Sequence, residues 1–255
     1  MRFLSLIAGT LLFAALLFSS IRFWGQGQNY KQFQTPYFAQ DFPADEHYLI
    51  IPWEQSQLLN DKGSIILWAD VYRTQDKNIL VKPWLDRNRA DKDLEQSANP
   101  TRPLLKNLLL QFPRSRFVIN CNSNLDNIHS QLVQVIQEAK AVDRVLLQSD
   151  YNTILTSAKE LEPMMLFGST TPDLARIKIF NSMWLLPAAP FKGDVLFVGL
   201  KYRGRDTIDH DIVMEMKRRF KKVFVGPLST KEDVQAALAL GVDGLFVQDP
   251  FLVTK

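Results

Sequence analysis

Apolar residues fall along this chain in three patterns. The first is the run Phe3 to Ile21, which carries no charge and is bracketed by Arg2 and Arg22. The second is a series of short apolar, often β-branched runs bounded by polar residues. They cover Tyr48 to Ile51, Ile65 to Val71, Phe117 to Cys121, Val145 to Gln148, Met164 to Phe167, Val195 to Leu200, Val223 to Val225 and Leu245 to Val247. Near-continuous apolar runs of this length suit parallel strands buried on both faces. The third is helical spacing between those runs. Leu125 to Ala141 places Leu132, Val135, Ile136 and Ala139 on one face, and Thr153 to Leu161, Asp209 to Phe220 and Lys231 to Leu240 repeat the pattern. Strands alternating with helices predict a parallel sheet with crossover helices. Eight strands predict an α/β fold of the (β/α)8 TIM-barrel type.

Local signals place the joints. Thr230 with Asp233 forms a variant capping box, and Gly241 suits a helix C-terminus. Gly241-Val242-Asp243-Gly244 then turns into the last strand. Two stretches break the rhythm: a long excursion from Tyr72 to Pro113, and an expected insertion from Thr171 to Gly193 that carries Trp184. The division expected is residues 1–24 as a transmembrane signal-anchor or signal peptide, 25–45 as a linker or a segment on the outside of the barrel, and 46–255 as the barrel. The length of 255 residues fits one such domain.

Composition narrows the options. The chain is 46% apolar and 22% charged with a net charge of +3, an ordinary globular balance. Lys217-Arg218-Arg219 and Lys221-Lys222 read as cations at a helix C-terminus, where the dipole favours them, so no nucleic-acid partner is expected. Cys121 is the only cysteine, which excludes an intrachain disulfide and a cysteine-based metal site. The Phe3 to Ile21 run is close to the roughly 20 residues a membrane span needs. No small-residue cleavage site follows it, so an uncleaved anchor in the membrane is expected, with the barrel on the periplasmic or extracellular side. A cleaved signal peptide would make the protein secreted.

The motifs resemble a family. Asp70-Val71-Tyr72-Arg73-Thr74-Gln75-Asp76 is similar to the D-V-x-x-T-x-D-G segment of glycerophosphodiester phosphodiesterases. Leu85-Asp86-Arg87 resembles that family's L-D-R, Pro103-Leu104-Leu105 with Phe112-Pro113 its P-T-L … F-P helix, and Gly241-Val242-Asp243-Gly244 its G-V-D-G. The similarity covers roughly residues 47 to 250. It implies a barrel that hydrolyses glycerophosphodiesters with a carboxylate-bound Ca²⁺ or Mg²⁺ and two histidines. The residues depart from that implication. The H-R-G strand end becomes Ile51-Pro52-Trp53-Glu54, the E-x-D pair becomes Trp68-x-Asp70, and the E-x-K pair becomes Asn120-x-Asn122. The second histidine is absent near Val81-Lys82-Pro83. Of the family's site only Asp70 stands, so no cofactor is expected unless the chain is active, when Ca²⁺ or Mg²⁺ would bind at Asp70. His47, His129 and His210 read as surface or capping residues.

Ligand-meeting residues of a barrel sit at the C-terminal ends of the strands. Those ends carry Trp53, Glu54, Trp68, Asp70, Asn120, Asn122, Gln148, Ser149, Ser169, Lys201, Arg203 and Gln248. Such a rim can bind a polar small molecule, or a phosphate on Lys201 and Arg203, or fill itself in. Trp68 reads either as a stacking platform or as a plug in the space of the metal. Asp70 reads as a residual metal ligand or as a partner of Asn122 or Lys201. Three functions stay open: a catalytically degenerate membrane-anchored barrel that binds a ligand or a protein, a phosphodiesterase with a rearranged site, and a structural or assembly protein at the membrane. For the last, Lys82, Arg87, Arg89, Lys92 and Arg102 of the excursion offer contacts to anionic lipid or a membrane protein partner.

Overall fold

The computed structural model describes residues 2–31, 35–38, 47–58, 65–86, 88, 102–123, 125–202 and 204–253. The strands are β1 (Tyr48–Pro52), β2 (Ile65–Arg73), β3 (Ile79–Lys82), β4 (Arg116–Cys121), β5 (Val145–Gln148), β6 (Leu166–Phe167), β7 (Val195–Val198), β8 (Lys201–Tyr202), β9 (Arg205–Asp206), β10 (Lys222–Leu228) and β11 (Gly244–Val247). The helices are α1 (Arg2–Gln26), α2 (Leu105–Gln111), α3 (Ile128–Glu138), α4 (Asn152–Leu161), α5 (Thr171–Ser182), α6 (His210–Arg218) and α7 (Lys231–Ala239). Eight strands pair in parallel in the order β6-β5-β4-β2-β1-β11-β10-β7, and β3 adds antiparallel to β2. This is a nearly closed TIM-type barrel.

Each strand alternates between two environments. One set of side chains packs outward against the helices, for example Leu67, Ile119, Leu147 and Val225. The other set fills the interior, and register stacks it in layers. Trp68, Val118, Leu146 and Leu166 lie level across β2, β4, β5 and β6. One step higher, Asp70, Asn120 and Gln148 lie level on three adjacent strands. The floor is closed by Tyr37 and Phe38, which pack with Tyr48 and Phe224. The Tyr37 hydroxyl donates to Phe117 O at 3.0 Å. Part of the segment expected to be a linker or an outer strap therefore lies inside the barrel, because two aromatic rings cover the open bottom of the interior cluster.

The seam between β6 and β7 lacks a regular ladder. Four hydrogen bonds replace it. Asp194 N donates to Phe167 O at 2.7 Å, and Phe167 N donates to the Asp194 carboxylate at 3.1 Å. The Ser169 hydroxyl accepts from Phe197 N at 2.9 Å and donates to Phe197 O at 3.0 Å, acting as an extra peptide group. A side chain at Gly193 would strike Gly168 O, so the two glycines let the edges meet.

The stretch Thr171 to Gly193 is not an insertion. It contains α5, the ordinary crossover between β6 and β7, opened by a capping box of Thr170 and Asp173 with Pro172 in the first turn. Its apolar face is weak, so helical spacing does not mark it. The first crossover is the unusual one: β1 passes to β2 through a 3-10 turn, Trp53–Leu58, among the described residues.

α1 joins the barrel at its C-terminal end. Gly25 lies against the backbone of Pro187 and Ala188, where any side chain would collide. Arg218 donates to Gly25 O, Gln26 O and Gln28 O, satisfying carbonyls that a helix end leaves open. Arg219 is buried and donates to Leu186 O and Pro187 O of the turn beneath. Glu215 accepts from both arginines at 2.6 to 2.8 Å. Both guanidinium groups sit over the Tyr30 ring. Beyond this clamp the described side chains of α1 are mostly exposed, Leu11, Leu12, Phe13, Leu16 and Leu17 among them. The side chains of residues 2–6 and 8 lie outside the described set, and among the described residues no helix is long and apolar enough to cross a membrane.

Two stability predictions arise. Ser169→Ala leaves two backbone groups of Phe197 without their partner and should cost about 1–3 kcal/mol in urea denaturation. Burial pushes the Glu215 carboxyl up, but hydrogen bonds and charge from Arg218 and Arg219 outweigh it and hold it below the usual glutamate range. Its folded value lies under its unfolded one. The stabilisation is therefore complete above the unfolded value and disappears as pH falls through the folded one. Glu215→Ala strands the buried Arg219 charge and should cost about 3–5 kcal/mol at neutral pH. Its deficit against the parent should shrink in acid, read by thermal unfolding across pH.

Candidate functional site

At the C-terminal end of the strands lies a cavity of 380 Å³. Its floor is aromatic. Trp68 stacks on Phe246 with ring centres 4.6 Å apart and meets Phe197 at 4.9 Å. Trp84 stands edge-on to Phe246 at 5.1 Å. Its walls are polar: Asp70, Asn88, Asn120, Asn122, Gln148, Asp150, Ser169, Thr170 and Thr171. Gly199, Gly226 and Pro227 line the far side. No lysine, arginine or histidine is among the described lining residues.

The rim is organised around Asp70. One oxygen accepts the Trp68 indole N–H at 2.9 Å and the other accepts the Asn120 amide at 2.6 Å. The two residues follow from the strand period: Trp68 and Asp70 are two apart on β2 and share its inner face. Asn122 accepts from Asp150 N at 3.0 Å, tying β4 to the loop after β5. Gln148 is only 6% exposed. Its amide donates to Ser169 O at 2.8 Å, while its Oε1 is buried without a partner. Gly168 makes room for that amide, since a side chain there would overlap it. That oxygen lies against Gly168, and a buried acceptor left without a donor costs about 1–3 kcal/mol.

Several rim residues expected from the sequence are elsewhere. Trp53 turns outward and packs against the helix-side core, so it offers no ring to the pocket. Lys201 sits on the exposed β8–β9 hairpin, away from the lining. Arg203 lies outside the described residues. Gln248 offers its backbone carbonyl to Gln55 at 2.7 Å, and its side chain does not line the cavity. Ser149 is fully buried and holds Tyr151 N. Asp70 pairs with Trp68 and Asn120 rather than with Asn122 or Lys201. The excursion's cations are engaged too. Arg102 is buried, bonded to the Tyr72 hydroxyl and to Asp86, and Lys82 lies over the Tyr72 ring. Arg87, Arg89 and Lys92 lie outside the described residues.

Glu54 works at the edge. Its carboxylate accepts Trp84 N at 2.6 Å, which fixes the start of the 3-10 turn (Trp84–Asp86) that carries the Trp84 ring over Phe246. Burial raises the Glu54 carboxyl above the ordinary range, and the Asp70 charge adds to this against the Trp84 hydrogen bond. Sequence reasoning missed Trp84, Asp150 and Thr170. Trp84 reaches the site only because β3 folds back on β2. The signal for Thr170 was the T-x-x-D box that opens α5.

The residues were tested against a divalent cation. Hard cations need several oxygen ligands, mainly carboxylates. Both Asp70 oxygens already accept N–H groups, the neighbouring positions are amides, and the indole of Trp68 occupies the interior beside Asp70. Among the described residues no three His, Cys, Asp or Glu side chains gather as a metal site. The donor set does not fit the ion that the resemblance implies.

The fold matches solved enzymes. A glycerophosphodiester phosphodiesterase from Parabacteroides distasonis superposes with a TM-score of 0.58 at 14% identity, over 81% of this chain and 95% of that one. The glycerophosphoryl diester phosphodiesterase domain of an uncharacterized Mycobacterium tuberculosis protein gives 0.59 at 13%, over 80% and 97%. This chain has the glycerophosphodiester phosphodiesterase fold. An Oleispira antarctica phosphodiesterase solved with its product sn-glycerol-3-phosphate gives a TM-score of 0.52 at 14% identity, over 78% of this chain and 92% of that one. No protein-family model and no curated protein sequence matches the chain. The likeness is one of backbone architecture, at 13 to 14% identity.

Trp68→Phe keeps a ring on Phe246 and removes the indole N–H from Asp70. The loss should be about 1–2 kcal/mol in urea denaturation, the value of a hydrogen bond to a charged group that water partly replaces.

Proposed function

We propose that this protein is a phosphodiesterase-like barrel that binds a small, uncharged, hydroxyl-rich ligand without hydrolysing a phosphodiester, held at a membrane by α1. The observation that carries the binding reading is the cavity itself, walled by amides and hydroxyls, Gln148 among them, over stacked aromatic rings. Amides both donate and accept, so they match hydroxyl groups. An aromatic face matches the C–H side of a polyol or sugar. The Oleispira phosphodiesterase holds sn-glycerol-3-phosphate. Here the glycerol-like part of such a ligand has partners, while its phosphate would face Asp70 and Asp150 with no cation among the described lining residues.

The absence of hydrolysis is argued from the donor set. General acid–base groups contribute about 10²- to 10⁴-fold in rate, and no imidazole lines the cavity. Asp70 is committed to Trp68 and Asn120. The anchor rests on the uncharged run Phe3 to Ile21 together with the exposed leucines and phenylalanine of α1. Each such side chain gains about 1.5–3 kcal/mol on leaving water. The barrel would then stand on the periplasmic or extracellular side.

The test has two arms on the full-length protein in detergent. Glycerol, simple sugars and sn-glycerol-3-phosphate are titrated by calorimetry against the parent and Gln148→Leu, and a glycerophosphodiester panel is assayed with Ca²⁺, Mg²⁺ or EDTA. We expect binding of a neutral polyol that weakens at least tenfold in Gln148→Leu, and no turnover under any metal. Tighter binding of the phosphate ester than of any neutral polyol would overturn the uncharged-ligand reading. Turnover abolished by EDTA would establish a rearranged phosphodiesterase instead.

A further inference from the structure

The barrel also carries an apolar corner at the end opposite the pocket. Helices α5 and α6 run antiparallel to the strands, so their C-termini lie at the strands' N-terminal end, whereas Asp70, Asn120 and Gln148 mark the other. At that corner Ile179, Met183, Trp184, Met214 and Phe220 are all exposed. Trp184 is 73% exposed. It takes a left-handed backbone (φ 59°) with its N–H bonded to Asn181 O, so the turn presents the indole outward. A soluble surface gains nothing from a large ring held out in this way. Contiguous exposed apolar groups mark a contact surface.

Position identifies what covers it. A groove of 670 Å³ joins Trp184 and Met214 to Arg22 of α1 and to Arg218 of the clamp. Phe23 and Trp24, both exposed, follow Arg22 directly in α1. Tryptophan beside arginine where a hydrophobic helix ends is the chemistry of a membrane–water interface. The carboxylate of Glu215 in the groove is already neutralised by two arginines, and Asp211 is the remaining acid there. Lys31 and Lys217, both exposed, add positive charge towards anionic headgroups.

We propose that this corner of the barrel rests in the headgroup layer of a phospholipid bilayer, so that the pocket opens at the far end, towards water. This rests on the reading of α1 as an anchor and deepens it. The ligand then arrives dissolved in the aqueous compartment and is not drawn from the bilayer. The clamp makes the orientation rigid: Gly25 on Pro187 and Arg218 on the last carbonyls of α1 leave no free linker between anchor and corner.

Cys121 is fully buried, which permits site-directed spin labelling at introduced cysteines. Full-length Leu12→Cys, Met183→Cys and Tyr202→Cys proteins are labelled and reconstituted in phosphatidylcholine–phosphatidylglycerol vesicles. Collision with lipid-soluble oxygen is compared with collision with a water-soluble nickel chelate. Tyr202, on the exposed β8–β9 hairpin, reports the pocket end. The expected result is a lipid-like label at 12, an oxygen-to-nickel ratio at 183 several-fold above that at 202, and an aqueous label at 202. A lipid-like label at 12 with equal, aqueous values at 183 and 202 would overturn the docked corner and leave the anchor standing. An aqueous label at 12 would overturn both. Dipolar broadening at 183 that vanishes on dilution with unlabelled protein would assign the corner to a second copy of the chain and overturn the bilayer.

Discussion

An ionised carboxylate inside a barrel mouth must be given hydrogen-bond donors, and in this protein that requirement shapes the whole site. Asp70 takes an indole N–H from its own strand and an amide from the next. The indole brings a large ring with it. That ring lies on Phe246 and against Phe197, so satisfying Asp70 also builds the floor of the cavity. What remains around the floor is the set of groups at the same level on neighbouring strands: amides, hydroxyls and one more carboxylate. Among the described residues, the pocket is therefore lined by amides, hydroxyls and carboxylates.

The walls of the pocket are also the seam of the barrel. Strand β6 is short, and Ser169 completes the closure to β7 with its side chain while its carbonyl holds Gln148. Gly168 supplies the space for that amide, and Gly193 lets the opposite edge approach. Cavity-lining groups and closure groups are thus the same residues. Moving them would open the sheet.

At the other end, Tyr37 and Phe38 stop the barrel floor and the Glu215–Arg218–Arg219 cluster fixes where α1 leaves. Every guanidinium in that cluster meets a carboxylate, a carbonyl or the Tyr30 ring. A buried ionic cluster of this kind is weak evidence for stability, but its bonds to Gly25 O, Gln26 O, Leu186 O and Pro187 O tie α1 to the turn beneath it. Here the geometry set is the angle between α1 and the barrel.

The parallel barrel was legible in the sequence because its strands are buried on both faces and therefore read as apolar runs, as Val145–Gln148 and Val195–Val198 do. Most helices announced themselves by spacing. Helix α5 did not, since the Thr170 capping box and Pro172 start it without a strong apolar stripe. Asp70 and the flanking amides were recognisable as rim residues from their places at strand ends. Their partners were not. Which group answers Asp70 depends on register between β2 and β4, and no local pattern encodes register. Trp53 and Trp68 are both indoles near strand ends, yet one faces the helices and the other the cavity, a difference of one step in a period of two. The sequence by itself determined the order of the strands along the chain and that none of its three histidines stands at a strand's C-terminal end. Only the tertiary structure decided that Trp68 closes the floor, that Gln148 is left wanting a donor, and that the apolar corner lies opposite the pocket, because each of these depends on residues brought together from distant parts of the chain.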